Sequence, residues 1–187
     1  AAGFDTIFIE TVGVGQSETA VHAMVDFFLL LQIAGAGDEL QGIKRGIMEM
    51  ADGIAINKAD GNNVNRANVA KVQIENALKL FPMPDSGWLP QARTCSAVNH
   101  TGIAEIWDMV CEYVEFTKKN KYFNKKRSQQ SKYWMYESIN ESLMNSFYQN
   151  PAIESLLQGF EQKVLNNEVS SFIAARELLE KFKNVNK

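Results

Sequence analysis

The tetrad Asn57-Lys58-Ala59-Asp60 closes the apolar run Gly53-Ile54-Ala55-Ile56, and its residue types suit one ligand class closely. A carboxylate such as Asp60 accepts two parallel hydrogen bonds from the ring N–H and exocyclic amine of guanine, whereas adenine offers no such donor pair on that edge. Asn57 can bond the purine and tie neighbouring loops together. The Lys58 stem can lie over the base plane with its ammonium in water. Taken alone, the tetrad reads equally well as a polar turn after a strand. Further along, Ser96-Ala97 follows the segment from Trp88 to Cys95, and there the Ala97 backbone N–H could meet the guanine carbonyl, a contact adenine's amino group would refuse.

Positioning these groups requires strands that end at one edge. A short apolar run bounded by Gly and turn residues predicts a strand of a covered parallel sheet, and such sheets bind ligands at the carboxyl ends of their strands. Residues 4–9, Phe-Asp-Thr-Ile-Phe-Ile, predict a second buried strand that delivers Glu10 to the same edge. The loop that follows, residues 11–18, contains Gly13 and Gly15, so its backbone N–H groups can approach a phosphate while Glu10 holds a metal-bound water. This resembles a Walker B strand and switch. A dinucleotide-binding G-x-G-x-x-G fails because its third position is Glu18, whose charge would face a pyrophosphate. An ordinary flexible loop after an acidic residue remains open on this segment alone.

Residues 24–31 predict another buried strand, perched after a helical turn. From Asp38, a good N-cap, Leu40, Ile43, Ile47 and Met50 recur at helical spacing, with Gln41, Lys44 and Arg45 on the polar side. Gly42 and Gly46 each cost about 1 kcal/mol within a helix, which marks this element as a candidate switch. Asn62 or Asn63 caps a helix whose apolar positions are Ala67, Ala70, Ile74, Ala77, Leu78 and Phe81, stopped by Pro82 and Pro84. Thr101-Gly102 opens one with Ile103, Ile106, Trp107, Val110 and Val114 on a face.

Past Phe116 the alternation of strand and helix ends. Lys118, Lys119, Lys121, Lys125, Lys126 and Arg127 read as a solvated junction, with a domain boundary at 118/119. A long helix follows with Tyr136, Ile139, Leu143 and Phe147 in a stripe that Tyr133, Trp134 and Met144 broaden. Asn150-Pro151 restarts a helix bearing Ile153, Leu156, Leu157, Phe160 and Val164, and Val169, Phe172 and Ile173 begin another. Helices this apolar need a partner surface, and their aromatic content favours a second copy of the chain over folding back on the sheet.

The 187 residues are 45% hydrophobic, which excludes a wholly disordered chain, and a formal charge of −3 gives no reason to expect nucleic acid or an anionic membrane. No apolar run is long enough to span a bilayer, and no basic leader opens the sequence, so a soluble, cytoplasmic protein is expected. Cys95 and Cys111 lack metal-site spacing and read as buried reduced thiols; His22 and His100 are isolated.

In order, residues 10–18, residues 35–46, Asn57-Lys58-Ala59-Asp60 and Ser96-Ala97 resemble the MeaB/ArgK family of GTPases, closely to about residue 115 and more loosely beyond. The resemblance implies an α/β fold: the C-terminal half of a P-loop GTPase with a mainly parallel sheet (1–118), then an all-helical dimerisation arm (119–187). It implies GTP/GDP and Mg as cofactors, with Glu10, Gly13 and Gln16 at the catalytic centre and Glu10 holding Mg through water. Asn57, Lys58, Asp60, Ser96 and Ala97 would read guanine, while Asp38, Gln41, Lys44 and Arg45 would form a switch that signals to an adenosylcobalamin-dependent methylmalonyl-CoA mutase. The family's older name describes amino-acid transport ATPases or kinases, and a pure interaction or dimerisation module is the alternative of a different class. The sequence holds no G-x-x-x-x-G-K-[ST], so it is expected to be a C-terminal fragment that by itself binds GTP poorly.

Overall fold

The computed structural model describes residues 3–11, 18–33 and 45–185. The elements in chain order are α1 (Glu18–His22), β1 (Leu29–Ile33), α2 (Arg45–Met50), β2 (Gly53–Asn57), α3 (Val64–Leu78), β3 (Gln91–Thr94), α4 (Ile103–Lys119), α5 (Tyr122–Tyr148), α6 (Pro151–Leu165) and α7 (Ser171–Val185). The strands form one parallel sheet in the order β1-β2-β3, with Leu29 and Gln91 both paired to Gly53. Their carboxyl ends therefore lie side by side. The α/β class and parallel sheet expected from the sequence are present.

Burial follows the two faces of β2. Ile54 and Ile56 point into a core made with Leu30, Met48, Ala67, Ala70 and Ile74, so α3 covers that face through small residues that let it approach closely. Gly53 points to the other face, where a Cβ would lie 2.6 Å from Met109 Cε and 2.8 Å from Phe27 Cζ. Glycine is what admits α4 there. The second core is aromatic: Phe27 and Trp88 stand edge-on to Tyr113, with ring centroids 5.0 and 5.7 Å away.

Four expectations need correction. Residues 4–9 form no strand, and Phe4, Ile7 and Phe8 are exposed. Their pattern suits a buried strand, but a strand also needs a neighbour's N–H and C=O groups, and among the described residues no other strand flanks β1 on its far edge. The strand expected at 24–31 begins only at Leu29, because the Phe28 N–H is taken by the Asp52 carboxylate at 2.9 Å rather than by a ladder. On α4 the expected Ile106 and Val114 do pack against the aromatic core, but the fully buried residues are Met109, Tyr113 and Thr117, and the expected Ile103 and Trp107 are exposed. Cys95 is buried as expected, whereas Cys111 is exposed.

The basic junction is also not wholly solvated. Lys126 is buried, with Nζ 2.9 Å from the Asp26 carbonyl and 3.4 Å from the Asp52 carboxylate. Arg127 grips both Asp26 oxygens at 2.8 and 2.6 Å, and Gln130 donates to the Val25 carbonyl. Asp52 is the hub: its carbonyl also accepts the Trp88 indole N–H at 2.9 Å. These bonds keep the first turns of α5 with the sheet, and the chain parts into compact units of residues 1–130 and 131–187.

In the second unit Asn150 caps α6 by accepting the Ala152 N–H at 3.0 Å, with Pro151 at the first helical position. Phe160, Ala174 and Leu178 form its core, joined by Phe147, Leu156, Leu157, Val164 and Val169. Of the stripe expected on α5, Tyr136, Ile139 and Leu143 are exposed. No described helix is long and apolar enough to cross a membrane.

Removing one partner of a buried ion pair leaves an uncompensated charge. Lys126→Met is therefore expected to cost about 3 kcal/mol, whereas Arg127→Ala, at a pair whose arginine is 59% exposed, is expected to cost less than about 1 kcal/mol. Urea unfolding of both variants checks the ordering.

Candidate functional site

The carboxyl edge of the sheet brings two loops together. One leaves β2 through Asn57, Lys58 and Asp60; the other leaves β3 through Cys95, Ser96 and Ala97. Backbone bonds fasten them, with Cys95 N–H donating to the Ile56 carbonyl and Ala59 N–H to the Cys95 carbonyl, each at 2.9 Å. Asn57, Lys58, Asp60, Ser96 and Ala97 thus converge, as the sequence predicts.

Three donors point at one atom, the Asn57 side-chain oxygen. These are Lys58 N–H at 2.8 Å, Ala97 N–H at 3.1 Å and the Cys95 thiol at 3.8 Å. All three are donors, so the amide orientation is fixed, and Nδ2 is left as the group that can donate to a purine acceptor. Burial pushes the Cys95 thiol up, which keeps it protonated and able to donate. Because Ala97 N–H already serves Asn57, contact with a guanine carbonyl requires it to divide its bond between two acceptors or to exchange one for the other.

Ser96 is fully buried, and its hydroxyl donates to Asp60 Oδ2 while accepting Asn99 N–H at 3.1 Å. The hydroxyl's single proton is therefore committed to Asp60, which fixes the orientation of that carboxylate. A carboxylate oxygen has two lone-pair positions, so Asp60 can still accept from a base. Exposed Lys58 sits at φ 60°, a left-handed conformation uncommon for a residue with a Cβ.

Three contributors were not picked out as site residues from sequence. Asn63, expected only as a helix cap, sends its side-chain amide back to the Lys58 carbonyl at 2.8 Å and its N–H to the Asp60 carbonyl at 2.9 Å. Thr101 closes an antiparallel bridge with Ser96, through bonds of 2.9 and 3.2 Å, that shapes the second loop. Gly102, at φ 74°, lies so close to β3 that a Cβ would stand 2.2 Å from the Thr94 carbonyl oxygen. A helix-opening Thr-Gly was visible in the sequence; its closeness to a strand end was not.

Glu10 is exposed and outside any strand, so the expected sheet-edge placement is not seen for it. Gly13, Gln16, Asp38, Gln41 and Lys44 lie outside the described residues, as does the Arg45 side chain, whose backbone begins α2. Among the described residues no group of three His, Cys, Asp or Glu side chains could hold a metal ion.

The family model described as methylmalonyl Co-A mutase-associated GTPase MeaB matches residues 1–152. The GTPase ArgK of Escherichia coli K12 is 41% identical over 180 residues, covering 96% of this chain and 54% of that protein. The mouse protein called methylmalonic aciduria type A homolog, mitochondrial, is 42% identical over 182 residues, covering 97% and 44%. A crystal structure of a LAO/AO transport system kinase superposes with a TM-score of 0.72 at 38% identity, covering 97% of this chain and 58% of that one. The chain spans about half the length of the curated relatives it matches.

Gly102→Ala tests the closeness of the second loop to β3. The strained φ and the backbone clash together are expected to cost on the order of 3 kcal/mol, while Gly61→Ala, strained at φ 49° but in open space, is expected to cost about 1–2 kcal/mol. Equal losses in chemical denaturation would mean that the loop simply shifts away.

Proposed function

This chain belongs to the MeaB family of GTPases, and from that premise we propose that it reads the guanine base for an intact protein whose GTP hydrolysis gates cofactor loading or protection of an adenosylcobalamin-dependent mutase. The observation that carries the base-reading part is the joint placement of Asp60, oriented by buried Ser96, and Asn57, whose oxygen is saturated by donors. That pairing offers two acceptors to a guanine edge and one amide donor to the purine. An adenine would bring its own amino group against the Ala97 N–H, placing donor against donor.

Hydrolysis is assigned to residues near the start of the chain. Glu10, with Gly13 and Gln16 on the following loop, is the proposed catalytic side. Its exposed carboxylate is a hard oxygen donor of the kind Mg takes, and would hold the ion through water. Bound Mg would offset the charge of the phosphates during transfer. Asp38, Gln41, Lys44 and Arg45 form the proposed surface that signals to the mutase, a partner suggested by the wording of the family description. The exposed stripe Tyr136, Ile139 and Leu143 on α5 supports a homodimer through the helical unit. We place the protein in the cytoplasm.

Asp60→Asn in the intact protein tests the base-reading assignment. The amide replaces one acceptor with a donor, which mismatches guanine and matches the extra carbonyl of xanthine. Charge-assisted hydrogen bonds contribute roughly 1.5–3 kcal/mol each, so loss of two is expected to weaken GTP by about a hundredfold or more while XTP improves. An unchanged GTP/XTP preference in competition titrations would sink the assignment.

A further inference from the structure

The base site contains an amide that none of the reading groups accounts for. Asn63 stands at the N-terminus of α3, where Asn ordinarily caps, yet its side chain makes no capping bond to the helix. It reaches back instead, Nδ2 donating to the Lys58 carbonyl at 2.8 Å. We propose that Asn63 is a positioning residue for base binding, which acts by fixing the left-handed backbone of Lys58 so that the lysine stem covers the purine plane. The proposal rests on the guanine reading above.

The geometry around Lys58 supports this in detail. Two peptide units meet at its Cα, and their orientations set φ and ψ and hence the direction of the Cα–Cβ bond. The unit before it is held by Lys58 N–H donating to Asn57 Oδ1 at 2.8 Å. The unit after it is held at both ends, its N–H on Ala59 donating to the Cys95 carbonyl at 2.9 Å and its carbonyl accepting from Asn63. A lysine at φ 60° relaxes toward negative φ unless its surroundings over-determine it. Asn57 and the β3 loop supply two of the three restraints, and Asn63 supplies the third. Because Asn63 N–H also bonds the Asp60 carbonyl at 2.9 Å, the backbone at 63 stays fixed when only the side chain is changed.

The two reading modes are separable. A lysine stem lying on a base face does not distinguish guanine from hypoxanthine, whereas Asp60 does, since hypoxanthine lacks the exocyclic amine. Calorimetric titration of the intact protein and its Asn63→Asp and Asn63→Ala variants with GDP and with IDP therefore tests the proposal. Both variants lose the amide donor. Asp is as good an N-cap as Asn, so a role confined to helix stability predicts no loss for Asn63→Asp. The expected result is a Kd raised about threefold to tenfold for both nucleotides, the range one neutral hydrogen bond spans. The GDP/IDP ratio should be kept, and the Asn63→Asp melting temperature should stay within about 2 °C of the parent. Unchanged affinity in both variants would overturn the proposal. So would a narrowed GDP/IDP ratio, which would route the effect through Asp60, or weakening in Asn63→Asp alone, which would make it an effect of charge. If the parent protein itself prefers GDP no more than IDP, the guanine reading fails first and the role of Asn63 falls with it.

Discussion

One side-chain oxygen, Asn57 Oδ1, joins the two loops at the carboxyl edge of the sheet. It receives the N–H of its own successor and the N–H of Ala97 forty residues later. A single neutral hydrogen bond contributes only about 1 kcal/mol net, but these accompany the Ile56–Cys95 and Ala59–Cys95 backbone bonds, so the loops meet as extensions of two paired strands. The rest of the site depends on that meeting. Ser96 can orient Asp60 only because β3 ends level with β2, and β3 is held there by a register in which Thr94 pairs with Ile56.

The opposite edge of the same sheet is built on a different principle. There Asp52 is surrounded by the Phe28 N–H, the Lys126 ammonium and, through its carbonyl, the Trp88 indole. The Tyr113 hydroxyl is buried nearby, and burial, with the Asp52 charge, pushes its pKa well above the usual value. Burial and then the Lys126 charge lower the pKa of His22. Charges at this edge are desolvated and paired, which makes their arrangement costly to disturb. At the carboxyl edge Lys58 and Ala97 are exposed, so groups there can trade water for ligand. The sheet thus separates a fixed end from an exchangeable one.

How much of this was legible follows from the range of the forces involved. Local chemistry was readable: the apolar run of β2, the prolines after α3, and Asn150-Pro151 ahead of α6 each act within a turn or two of themselves. The meeting of Asn57, Lys58 and Asp60 with Ser96 and Ala97 was readable because both groups follow strands that were expected to end at one edge. Residues 4–9 were misread since a strand is a property of a pair, and their partner cannot be found in their own pattern. The α4 face was read in part: Ile106 and Val114 meet the core, but apolar spacing permits several stripes, and the buried one includes Met109, for which the missing side chain of Gly53 leaves room. Lys126 looked solvated within a run of lysines; its partner Asp52 lies 74 residues away.

Two places where local preference and structure conflict lie at the carboxyl edge of the sheet. Of the four described non-glycine residues with positive φ, Lys58 lies in the loop after β2 and His100 in the loop after β3, at 60° and 55°. Neither has a side chain that favours the conformation enough to adopt it unaided, and each is flanked by bonds that impose it. Asn57 and Asn63 bracket Lys58, and the Ser96–Thr101 bridge closes the turn that contains His100. Strain of about 1–3 kcal/mol at such a residue persists only when its neighbours over-determine it. In the proposed reading the polar residues of these loops therefore have two tasks, presenting groups to a base and holding the backbone that presents them. Asn57 would perform both with a single amide, its oxygen gathering the loops and its nitrogen remaining for the proposed ligand, which would make the strand end and the proposed site one structure.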